Sequence, residues 1–105
     1  MDVRDAVKAY WLLVERCPAG EVYNIGGNVT MKIGAMLDTL LLLSSRKDIE
    51  IKADIFRYRP SDVTLQIPST EKFAKETGWM VRIAFAKTLQ DMLDYWRKIY
   101  DRNKI

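Results

Sequence analysis

Apolar residues recur at helical spacing in three long stretches of the chain and one short one. Val7, Tyr10, Trp11 and Val14 fall on one face of a helix running to Arg16, and Ala6, Ala9 and Leu13 widen the stripe. Such a helix is expected to be largely buried, with its aromatics read as core rather than as a stacking platform. Asp2 and Asp5 suit the free N–H groups and positive end of its first turn, and Pro18 and Gly20 end it. Thr30 is expected to cap a second helix, Met31 to Leu43, through a stripe of Ile33, Met36, Leu37, Leu40 and Leu41. Gly34 inside it costs about 1 kcal/mol relative to alanine, which points to a close packing contact. A short helix opens after Ser69 or Thr70 and runs through Thr77, where Gly78 supplies the left-handed residue that ends helices. Trp79 is expected to pack back on it. The last helix, Phe85 to Tyr100, is expected to bury Phe85, Leu89, Met92, Leu93, Trp96 and Ile99, and to pair Lys87 with Asp91 and Asp94 with Lys98 outside.

Three stretches between these helices carry a strand pattern instead. Glu21 to Ile25 reads as a short strand closed by Gly26-Gly27-Asn28, and Ile49 to Ala53 alternates apolar with charged residues. Val63 to Ile67 reads as a third extended piece, closed by Pro68. The glycine pair fits neither a dinucleotide fingerprint nor a Walker loop, so a tight turn is the reading. The expected fold class is therefore α+β: a single, mostly helical domain over residues 1–105 with two or three short strands. So few strands do not make a doubly wound sheet.

Composition narrows the chemistry. The 17 basic residues are interleaved with 14 acidic ones for a net charge of +3, without the clustered basic face of a nucleic-acid binder. With no histidine, the chain lacks Ser-His and Cys-His dyads and most zinc sites, and no metal site or catalytic residue is assigned. The single cysteine, Cys17, makes no intrachain disulfide. No apolar run approaches the roughly 20 residues of a membrane span, and the N-terminus does not read as a signal peptide, so a cytoplasmic location is expected.

Candidate binding chemistry concentrates in Arg57-Tyr58-Arg59-Pro60-Ser61-Asp62. Pro60 pushes Arg59 toward extended backbone, so its guanidinium leaves the chain in a defined direction. That planar fork suits phosphate oxygens, and Asp62 can accept from sugar hydroxyls. The same residues also read as a solvated, proline-punctuated loop.

The succession Asp2-Val3-Arg4-Asp5, Val22-Tyr23-Asn24-Ile25-Gly26-Gly27, Arg59-Pro60-Ser61-Asp62 and Thr77-Gly78-Trp79 resembles the C-terminal lobe of extended short-chain dehydrogenases that act on nucleotide sugars. It is most similar to the GDP-mannose 4,6-dehydratases and nearly as similar to the GDP-4-keto-6-deoxy-mannose reductases. The resemblance covers essentially the whole chain, in order. It implies a role for Arg59 on the nucleotide pyrophosphate and for Asp62 near the ribose hydroxyls, with Arg57 adding positive potential. Asp2, Asp5, Asn24 and Trp79 stand at framework positions.

The resemblance also implies what this chain does not carry. The family's Gly-rich dinucleotide loop and its Tyr-x-x-x-Lys pair belong to an N-terminal Rossmann half. The formal match at Tyr100 and Lys104 lies after the last core residue and reads as chance. The expected function is thus a GDP-sugar-binding lobe, inactive alone, with NAD or NADP held by the missing lobe and none held here. Homo-oligomerisation is expected from the apolar surface the missing lobe leaves. The alternatives are a reductase or epimerase lobe and a non-catalytic interaction module.

Overall fold

The computed structural model describes residues 1–104, and among them the regular structure is helical throughout. Helix α1 spans Val3–Arg16, α2 Ile33–Leu43, α3 Glu71–Thr77 and α4 Phe85–Arg102, with a single 3-10 turn at Ile55–Arg57. Asp2 caps α1 by accepting a hydrogen bond from the Arg4 backbone N–H at 2.8 Å. Gly78 ends α3 in the left-handed region, at φ 71°, as its position requires. Trp79 then turns back and is buried, its ring centroid 5.7 Å from that of Phe73.

The core is small. Ala9, Phe73 and Trp79 form its centre, with Leu12, Leu13, Cys17, Tyr23, Ile25 and Val81 packed around it. Helix α1 lies against α3, and α2 against α4. Asp5 joins the two ends of the chain. Its buried carboxylate accepts from the backbone N–H groups of Arg82 and Ile83 at 3.0 and 2.9 Å.

The expected α+β architecture is not what forms: none of the three strand-patterned stretches makes a ladder among the described residues. The extended backbone itself is present. In Glu21–Ile25, Tyr23 and Ile25 point into the core while Val22 and Asn24 face solvent, the alternation of a half-buried strand. What is lacking is a neighbouring strand, and alternation along one segment does not supply one. Residues 45–67 are exposed throughout, so no side chain of Ile49–Ala53 or Val63–Ile67 is buried by the rest of the chain.

The buried helix faces also differ from the expected ones. The stripe assigned to the core of α1, Val7, Tyr10, Trp11 and Val14, is exposed, and Asp5, Ala9, Leu12 and Leu13 face inward instead. In α4, Leu89 is buried and Phe85, Leu93 and Ile99 half-buried, but Trp96 is 60% exposed and Met92 42%. Helix α2 starts at Lys32 without a side-chain cap, not at Thr30. An added Cβ at Gly34 would meet open space, so no close contact explains that glycine. Gly26 has the close contact instead: a Cβ there would lie 2.3 Å from Pro68 Cγ. On the outer face of α4 the Lys87–Asp91 pair forms, whereas Asp94 pairs with Arg97 at 2.8 Å rather than with Lys98.

The result is a slab, 51 × 40 × 21 Å, with a radius of gyration of 17.9 Å. A compact domain of this length has a radius of about 13 Å. The accessible surface is 9230 Å², against about 6,100 Å² for a compact monomer of this mass. Much apolar surface therefore finds no cover inside the chain.

Candidate functional site

The loop carrying the sequence-assigned residues is built from local bonds. Asp54 accepts from the Phe56 backbone N–H at 3.0 Å and so nucleates the Ile55–Arg57 turn, which Tyr58 N–H closes onto the Ile55 carbonyl at 3.3 Å. The Arg57 Nε lies 3.1 Å from Asp54 Oδ2, so its charge is partly engaged. Beyond Pro60 the Asp62 carboxylate accepts from the Val63 N–H at 2.9 Å. Arg59 is exposed and takes part in no ion pair among the described residues.

These residues are not gathered in one cavity. Arg57 lines an open hollow of about 470 Å³ together with Lys52, Asp54 and Tyr58. Lys52 Nζ lies 3.4 Å from Glu50 Oε2, so both cations are paired, and anionic oxygens entering here would have to displace or share Asp54 and Glu50. Arg59 and Asp62 stand outside it. Lys52 was not singled out by sequence reasoning. Its place in an alternating apolar–charged segment gave it the look of a solvated strand residue.

A second cavity, also about 470 Å³, is apolar and lies between the Gly27–Met36 segment and Val81–Phe85, with Met1 and Asp2 at one side. It contains none of Arg57, Arg59 or Asp62. Asp2 beside it belongs to a charge network that clamps α1 to α4. Arg4 donates to Asp2 through Nε and Nη2, both at 2.9 Å, and the Thr88 hydroxyl donates at 2.6 Å. Those bonds hold the Asp2 carboxyl well below the usual carboxylate range, and they raise the Arg4 guanidinium in turn. Arg4 Nη2 also stands 2.8 Å from Asp91 Oδ2, an ion contact rather than an aligned hydrogen bond. Asp91 is lowered by Lys87 first and Arg4 second. Every charge in this cluster has a structural partner, which marks it as framework.

Two other candidates resolve in the same way. Gly26, pressed against Pro68, is committed to packing, so the Gly26-Gly27 pair offers no open cradle for a phosphate. Lys104 Nζ lies over the Tyr100 ring at 4.9 Å, a local stacking contact at the end of α4.

The Arg57–Asp62 loop is exposed, and the slab leaves a large surface uncovered. Residues 1–92 match the model of the family described as GDP-mannose 4,6 dehydratase, and the chain belongs to that family. It is a nucleotide-sugar 4,6-dehydratase-related domain. A curated relative, the dTDP-D-glucose 4,6-dehydratase of Homo sapiens, is 22% identical over 98 residues. That alignment takes in 90% of this chain and 28% of the human protein, so the chain spans little more than a quarter of its relative's length.

Proposed function

We propose that this chain is the nucleotide-sugar-binding lobe of a GDP-mannose 4,6-dehydratase-type enzyme. Its task is to hold the diphosphate so that the hexose meets a cofactor carried on other structure. The observation that carries the reading is the exposed Arg57–Asp62 loop inside the family-matched region, with Arg59 free of ion pairs among the described residues. Arg59 takes the pyrophosphate, Asp62 a ribose hydroxyl, and Arg57 with Lys52 supplies positive potential beside them. NAD or NADP supplies hydride chemistry in the complete enzyme. In this reading the cofactor is carried on other structure and no residue of this chain is assigned to it.

Supporting the reading further, the slab's surplus surface of about 3,000 Å² is what a domain separated from a covering lobe would show. Titration calorimetry of the chain with GDP-mannose tests it. Binding is expected in the millimolar range, abolished by Arg59→Ala. GDP-mannose binding that is indifferent to Arg59, Asp62 and Arg57 together would overturn the assignment. Turnover by the chain with added NADP would overturn the division of labour.

A further inference from the structure

We propose that residues 45–67 form a strap that opens and closes independently of the helical slab, and that the diphosphate of the bound nucleotide sugar is what closes it. The inference rests on the binding role assigned above to the Arg57–Asp62 loop, which this strap carries. Both ends of the strap are held. At its entry Arg97 Nη2 donates to the Leu43 carbonyl at 2.9 Å. At its exit Pro68 lies against Gly26, with its Cγ 2.3 Å from the place a Cβ would take. Between these two posts every residue from 45 to 67 is exposed.

The bonds inside the strap are local. Arg46 Nε donates to Asp48 at 3.0 Å, Lys52 pairs with Glu50, and Arg57 pairs with Asp54. The longest reach is five positions of sequence, from Lys47 Nζ to the Leu42 carbonyl at 3.5 Å. Among the described residues, no hydrogen bond or ion pair ties the strap to α1, α3 or α4. A segment with no buried side chain and no long-range bond opens at little cost, without unfolding its surroundings. The slab does not depend on it, because α1 packs directly on α3 and α2 on α4.

Charge supplies the closing step. Lys52, Arg57 and Arg59 fall within eight residues, with Asp54 the one carboxylate among them. The pairs Lys52–Glu50 and Arg57–Asp54 are open to solvent, where such pairs hold weakly. The excess of positive charge therefore works against drawing the three cations round one point. A diphosphate turns that repulsion into attraction, so it binds the closed strap in preference to the open one. That difference in affinity is what a ligand-driven closure requires. Affinity for the free chain is reduced by the fraction of straps that stand open, in keeping with the weak binding expected above.

Amide hydrogen exchange of the 105-residue chain, followed residue by residue by NMR, tests this. The N–H groups of Phe56, Arg57, Tyr58 and Val63 report on closure, because each donates within the strap. Without ligand their exchange should be at most about tenfold slower than in an unstructured peptide. It should also be insensitive to urea up to about 1 M, whereas the α1 and α4 amides speed up with urea. GDP-mannose at about ten times its dissociation constant should slow the strap amides about tenfold, the factor mass action sets. Arg59→Ala should abolish that slowing at the same concentration. Strap amides that follow urea in step with the helices would show that the strap is no separate unit, and the proposal falls. GDP-mannose that binds through Arg59 yet leaves these amides unmoved would refute closure while the binding role stands. GDP-mannose that does not bind at all would sink both.

Discussion

The indole Nε1 of Trp79 donates a hydrogen bond to the backbone carbonyl of Asp5 at 3.1 Å, across 74 positions of sequence. The same aspartate receives the Arg82 and Ile83 N–H groups on its carboxylate. One residue in the first turn of α1 thereby fixes the whole passage from α3 to α4. Asp5→Ala would strip both part-buried donors of their partner. The expected loss is about 2–4 kcal/mol of unfolding free energy, measured by urea titration with tryptophan fluorescence. Asp5→Asn, which keeps an acceptor oxygen, should recover about half.

Burial decides a second comparison. Phe73, wholly buried between Tyr23 and Trp79, should cost about 3–5 kcal/mol when cut to alanine. Trp96→Ala, on a face 60% exposed, should stay within about 0.5 kcal/mol in the isolated chain. Thermal unfolding of both variants separates them by many degrees if the inward face of α4 is as observed.

Acid stability should depend on Asp2. Its carboxyl is lowered in the folded state by Arg4 and Thr88, relative to about 3.9 when unfolded. A lowered folded value means the stabilisation is complete above about pH 4 and is lost as pH falls toward the folded value. The urea midpoint should therefore drop steeply below pH 4. In Asp2→Asn that drop should flatten, from a lower starting stability at pH 7.

On the proposed binding role, Arg59→Lys should keep part of the GDP-mannose affinity, since an ammonium retains the charge but not the two-pronged geometry. Arg59→Ala in a complete enzyme should lose about 1.5–3 kcal/mol of binding free energy. Asp62→Asn should be milder, and none of these should move the melting temperature by more than about two degrees, because the loop's side chains are exposed. Differential scanning fluorimetry alongside calorimetry checks both halves.

The legible parts of this fold were those specified locally. An aspartate cap on α1, Gly78 as a left-handed stop and Trp79 packing back on α3 are each decided within a few residues and legible in the chain; that the cap is Asp2 rather than Asp5, and that Trp79 meets Phe73, the structure adds. The α1 face was misread because the helix has two apolar sides and periodicity does not say which of them the rest of the chain covers. The strands were misread for a related reason: alternation in Ile49–Ala53 describes an extended segment, while a strand exists only with a neighbour to bond. At the candidate site, Arg57, Arg59 and Asp62 were evident as chemistry. Lys52 escaped because only the turn at Ile55–Arg57 brings it beside Arg57.

The long exposed passage between α2 and α3 has a consequence for the chain's integrity. It contains Arg46, Lys47, Lys52 and Arg57, all exposed to a trypsin-like protease, while the Arg59–Pro60 bond resists one. Yet both helix pairs, α1 with α3 and α2 with α4, join an element before this passage to one after it. So do the bonds from Arg16 to the Thr77 carbonyl and from Arg97 to the Leu43 carbonyl. A nicked molecule would therefore not fall apart. Its halves would stay together as a non-covalent complex, and the two pieces produced separately should recognise each other and rebuild the slab.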